Sequence, residues 1–129
     1  MIDKRIDYKK HCISEEEIKE KLINPPKLID YIDEHVKAII DKEFPNYEFY
    51  IGKTNNCEKR LQQHEQFEQK RIVEKMFVLV DHNMLNLISA LETWFIGKYK
   101  EGYHPRGTNK NEGDPPLQYL YLIVWKNKI

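Results

Sequence analysis

The chain has 129 residues, 40% hydrophobic and 33% charged, with 21 Lys+Arg balanced by 21 Asp+Glu. A chain of this length suits one domain that buries about two thirds of its unfolded surface, so it folds without staples. The apolar and aromatic content excludes disorder along the whole chain, and zero net charge means that any basic surface must be local. The two cysteines, Cys12 and Cys57, lie far apart in no metal-like spacing, against a disulfide framework or a zinc site. No apolar run reaches the roughly 18–20 residues that span a bilayer. The start, Met1-Ile2-Asp3-Lys4-Arg5, lacks an apolar signal region. The expectation is a protein of the cytoplasm or nucleus with no membrane partner.

Residues 1–13 are polar and without a clear period. Ser14 with Glu17 three residues later predicts a capping box and a helix from 14 to about 22, ended by Asn24-Pro25-Pro26. Leu28, Ile29, Ile32, Val36, Ile39 and Ile40 recur at helical spacing and predict an amphipathic helix over 27–43. A strand over 36–41 with a hairpin turn at 42–46 fits that spacing less well. Residues 47–53 are aromatic and β-branched, a strand that ends near Gly52. Asn55, with Glu58 after it, predicts the cap of a helix over 56–70. The apolar run 76–80 reads as a buried strand. After Asp81-His82-Asn83 a helix is predicted over 84–100, with the stripe Met84, Leu87, Ile88, Leu91 and Phe95. Residues 101–116 are rich in Gly, Pro and Asn and read as loop, and 117–125 as a closing strand. The result is an α/β (α+β) chain with a small sheet.

Tyr50-Ile51-Gly52-Lys53-Thr54 runs from a strand end into a helix start. On that helix Arg60 and His64, four residues apart, share a face flanked by Cys57 and Phe67. A guanidinium there can hold a phosphate through two N–H groups. Taken alone, Arg60 reads as a solvated helix residue and His64 as a packing residue. Glu92 lies at the edge of the later apolar stripe, where a carboxylate can bind a divalent cation that otherwise keeps its waters. Taken alone, it reads as a boundary Glu, solvated or paired with a lysine such as Lys98.

In order and spacing, Tyr50-Ile51-Gly52, Thr54, Arg60, His64, Ala90-Leu91-Glu92 and Asn109-Lys110-Asn111-Glu112-Gly113 resemble the GIY-YIG nuclease superfamily. The resemblance covers about residues 47–113, with Asp114 in place of a second glycine. It implies a small, mainly antiparallel three-stranded sheet flanked by helices, here with an N-terminal helical extension over 1–46 and a catalytic domain over 47–129, packed as one unit. The family's first signature, Gly-Ile-Tyr, should lie on a strand shortly before Tyr50. Lys37-Ala38-Ile39-Ile40 stands there, with no tyrosine. Either the first strand is present without its tyrosine or it is missing, and the helical pattern of the segment favours the second. The C-terminal strand can fill its slot, with Tyr119 or Tyr121 as the replacement phenol; otherwise these two are ordinary strand aromatics.

The resemblance further implies a metal-dependent endonuclease that hydrolyses DNA phosphodiester bonds. In that reading Glu92 holds Mg²⁺ or Mn²⁺, Arg60 clamps the phosphate, Tyr50 positions or deprotonates water, and His64 carries a proton or touches phosphate. Lys53 and Thr54 are expected at the substrate. Asn109 is expected there too, ordering its loop near Glu92. A nearby cation together with the metal is expected to lower a tyrosine's pKa. Lys53, Lys59, Arg60, Lys70 and Arg71 form one candidate DNA patch, and Lys98, Lys100, Arg106 and Lys110 a second, both touching backbone phosphates. Residues 1–46 would supply target choice or a homodimer contact. The competing reading is an inactive relative that binds nucleic acid or a protein.

Overall fold

A computed structural model describes residues 3–82, 85–109 and 119–127. Ser14 caps α1 (Glu15–Lys21) as expected: its hydroxyl accepts from the Glu17 N–H, and the Glu17 carboxylate accepts from the Ser14 N–H. Pro25 and Pro26 open α2 (Pro25–Lys37), where a missing N–H leaves no helical bond unmade. Leu28, Ile32 and Val36 form its buried stripe. The predicted helix 27–43 is continuous but changes type, because Ala38–Glu43 is wound as a π-helix closed by the Phe44 N–H on the Ile39 carbonyl. No strand forms at 36–41.

Among the described residues the sheet has four strands in the order β1-β3-β4-β2: β1 (Ile6–Asp7), β2 (Glu48–Thr54), β3 (Arg71–Asp81) and β4 (Tyr119–Asn127). β4 runs antiparallel to both neighbours, and β1 pairs parallel with β3 at Met76 and Phe77. The expected three-stranded sheet is thus extended by β1, whose two residues are too few to show a period. β3 is longer than the 76–80 run. It starts at Arg71 with residues that are only partly covered, and its register with β4 shifts twice, between Val73 and Lys75 and between Val78 and Val80. β4 lies inside the sheet because both of its faces are apolar and buried. Leu120, Leu122 and Val124 join one core with α2 and α4 (Leu85–Tyr99); Tyr121, Ile123 and Trp125 join the other with α3 (Cys57–Phe67).

α3 begins one residue later than predicted, since Asn56 and not Asn55 accepts the Lys59 N–H. It ends at Phe67 instead of 70, with the Glu68 N–H on the His64 carbonyl. In α4, Ile88, Leu91 and Phe95 are buried as expected, whereas Met84 lies outside the described residues.

Both sheet edges are covered. Along β2, the Phe49 N–H donates to the Arg106 carbonyl and the Thr108 N–H to the Phe49 carbonyl, each at 3.0 Å. The Asn109 side chain extends this ladder, accepting from the Ile51 N–H (2.7 Å) and donating to the Ile51 carbonyl (2.6 Å). Gly107 lets the loop reach this position, because a Cβ there would stand 1.9 Å from the Tyr99 carbonyl oxygen. On the other edge Arg5 and Ile13 bond to Met76 and Leu79. Residues 1–46 therefore supply β1 as well as helices, and Ile13, Ile18, Leu28, Ile32 and Val36 share a core with β2 and α4.

Candidate active site

Strand alternation divides the signature residues of β2 between two faces. Tyr50 packs with the α3-side core, and Gly52 stands opposite Tyr121 of the same side. Lys53 stands opposite Leu120, on the α4 side. Gly52 is glycine for a steric reason. A Cβ there would lie 2.5 Å from the Tyr121 hydroxyl and 2.6 Å from its Cζ, so the ring rests directly on the Gly52 backbone.

Tyr121 is 1% exposed. Its hydroxyl lies 2.7 Å from His64 Nε2. The Tyr50 ring stands edge-on to His64 at 4.7 Å and stacks on Tyr121 at 6.3 Å. Trp125 stands 5.5 Å from the His64 ring and 5.7 Å from Tyr50. Tyr119 points elsewhere, with its ring 6.4 Å from Tyr8. Of the two candidate phenols, Tyr121 is therefore the one beside Tyr50 and His64. Arg60 is half-buried, and its Nε is buried with no hydrogen-bond acceptor among the described residues.

Glu92, from α4, is 0% exposed and forms an ion pair at 3.1 Å with Lys53, itself 6% exposed. Lys98, the lysine suggested by sequence, binds Asp33 instead (2.5 Å). α4 turns Glu92 toward the outermost strand β2, and at that position Lys53 is the nearer cation. Burying both charges is tolerable only because they compensate each other.

Electrostatics ties the two faces together across β2. Burial raises the Tyr50 pKa first; Glu92 raises it further and Arg60 opposes. Tyr121 is driven well above the usual phenol value by burial; Tyr50 and Glu92 add to the rise and Arg60 opposes it. Arg60 and Glu92 thus both act on both phenols. Against the guanidinium alone, desolvation of the phenolate wins, and both phenols are raised. His64 is pushed down to about 4 by burial and then by Arg60, so its ring is neutral at neutral pH.

The remaining predicted residues serve the backbone or lie on the surface. The Thr54 hydroxyl accepts from the Asn56 N–H (3.1 Å) and turns the chain into α3. Both ends of the Asn109 amide are held by Ile51; residues 110–113 of its motif lie outside the described residues. At the start of α3 a small cleft of about 90 Å³ is lined by Thr54, Asn56, Lys59 and Arg60. Of the first basic patch, Lys59 and Lys70 are exposed, Lys53 is buried, and Arg71 is held by Glu48 and Glu68. Of the second, Lys98 and Arg106 are bound to Asp33 and Asp41, and Lys110 lies outside the described residues. Sequence reading did not single out Trp125, whose role as the wall behind His64 appears only once β4 is placed.

The family model of the GIY-YIG catalytic domain matches residues 38–112. The match spans more than half of the chain, which belongs to the GIY-YIG superfamily, a family generally of nucleases that use divalent metals. Comparisons with curated proteins and with solved structures gave no match. The matched region opens on the π-helix and stops before β4, so Tyr121 stands outside it. No helix among the described residues is long and apolar enough to cross a membrane.

The donor set bears on the metal. Among the described residues no group of three or more His, Cys, Asp or Glu stands together to hold one. Glu92 is a hard oxygen donor, buried and ion-paired with Lys53 at 3.1 Å. One carboxylate is the donor set of a magnesium-like ion that keeps its waters and not of an all-protein cage, and such an ion reaches Glu92 only by displacing the Lys53 ammonium and opening the buried oxygens to water.

Proposed function

We propose that this chain is a divalent-metal-dependent DNA endonuclease in which β4 supplies the tyrosine absent from the first signature. The observation that carries the reading is that the Tyr121 hydroxyl, seated on Gly52, meets His64 Nε2 at 2.7 Å beside the Tyr50 ring, on the helix that carries the unmatched Arg60 Nε. Glu92 would hold the ion, which when bound supplies charge neutralisation at the scissile phosphate. Lys53 pairs with the Glu92 carboxylate and orients it until the ion takes its place. Arg60, with its unmatched buried donor, would bind the non-bridging phosphate oxygens, and the cleft at the start of α3 takes the neighbouring phosphate beside Lys59.

Neither phenol is a base at rest, because burial keeps both protonated. The neutral His64 can accept a proton. Tyr121 is closed off from solvent, and its hydroxyl fixes His64 Nε2 across the 2.7 Å contact beside Tyr50. Tyr50 orients the attacking water against the phosphate. Residues 1–46 and 47–129 act as one folding unit through their common core.

Supercoiled plasmid incubated with Mg²⁺ or Mn²⁺ tests the reading. The expected result is cutting by the wild type and a rate loss of at least about 100-fold in Glu92→Gln, Arg60→Ala and Tyr121→Phe. Glu92→Gln is preferred to alanine because it keeps an acceptor for the buried Lys53 ammonium. Cutting that survives in Tyr121→Phe removes β4 from the mechanism. Binding without cutting by the wild type makes the chain an inactive nucleic-acid-binding relative.

A further inference from the structure

We propose that the groove beside Tyr50 receives an unpaired nucleobase of the substrate strand, with Phe67 as its stacking platform, so that the substrate class is DNA with a single-stranded segment at the cut. This rests on reading the adjoining site as a DNA nuclease. The groove has a volume of about 690 Å³ and runs from Tyr50 and Trp125, which both touch the His64 ring, out to Phe67 and Lys70. Phe67, the last residue of α3, is 80% exposed. An isolated exposed aromatic needs no explanation. Here three aromatic side chains line one groove that is continuous with the candidate site.

Charge selects the occupant. Lys70 and Arg71 in the groove are balanced by Glu68 and Glu101, so phosphates gain little there. The small cleft at the other end of α3 has Lys59 and Arg60 and no carboxylate in its lining. The phosphate therefore belongs at the start of α3 and a flat, neutral, hydrogen-bonding group at its end. A base stacks on aromatic faces and on guanidinium planes, and Arg71 already lies over the Trp125 ring at 5.2 Å. From Arg60 to Phe67 the helix rises about 10 Å, so that base lies a few nucleotides from the cleaved bond. A paired base has both faces covered and reaches Phe67 only by leaving its duplex.

Binding measured in EDTA by fluorescence anisotropy, at one salt concentration, compares the same labelled duplex with and without a short single-stranded tail carrying 2-aminopurine. The wild type should bind the tailed DNA at least about fivefold more tightly than the blunt duplex and quench the 2-aminopurine. Phe67→Ala should lose both effects, and Phe67→Tyr should keep both. Phe67 is too exposed for these changes to unfold the chain, and circular dichroism checks this. An equal tail effect in Phe67→Ala and wild type, or no tail effect in the wild type, overturns the proposal. Plasmid cutting that depends on Glu92 alongside no tail effect sinks the groove alone. A Phe67-dependent tail effect with no cutting in either metal supports the groove and sinks the nuclease reading.

Discussion

At Gly52 the neighbouring Tyr121 ring occupies the volume of the missing side chain. Because that ring is walled in on every side, Gly52→Ala cannot be absorbed by a small rotation. It should cost about 1–3 kcal/mol, read by urea denaturation, and should break the Tyr121–His64 contact. His64 makes a second prediction. Its proton affinity in the fold corresponds to a pKa of about 4, against 6.5 when solvated. The unfolded chain therefore binds the proton more readily, and the contribution of His64 is fully present above 6.5 and lost as pH falls toward 4. The whole effect is about 3 kcal/mol. Wild-type stability should fall more steeply than that of His64→Gln between about pH 7 and pH 4.5 in chemical denaturation. Equal slopes would mean that His64 is solvated.

At the scale of the elements, β2 carries the signature yet forms an edge of the sheet, where its outward N–H and C=O groups would be open to other strands. The loop over 106–109 closes that edge, and the Asn109 amide stands in for a peptide unit. Asn109→Ala leaves two buried backbone groups of Ile51 unmatched and should cost about 2–4 kcal/mol in thermal or urea unfolding. Asn109→Asp should restore only part of this, because a carboxylate accepts from the Ile51 N–H but repels its carbonyl. The same reasoning explains why an asparagine expected near substrate is buried: its task is to hold straight the strand that presents Tyr50.

For the molecule as a whole, the decisive feature is that the end of the chain returns to the middle of the sheet. β4 bonds to β2 and β3 along its length and supplies side chains to both cores. A chain ending at residue 118 should therefore lose its cooperative unfolding transition and the dispersion of its amide NMR spectrum, not only its activity. A truncated chain that stayed folded would mean that β2 and β3 can pair without it.

Much of this was legible before any coordinates. The Ser14–Glu17 cap, the apolar stripes of α2 and α4, and the Tyr50-Ile51-Gly52 strand running into the Arg60–His64 face are local patterns, set by period and by the first turn of a helix. They were enough to indicate the family and the order of its elements. Tertiary structure alone decided that Lys53 and not Lys98 meets Glu92, that Tyr121 and not Tyr119 lies on Gly52, and that β1 and Asn109 close the two edges. Those outcomes depend on strand register and on which residues distant in sequence share a dry interior. A one-residue shift in register would send every one of these side chains to the other face.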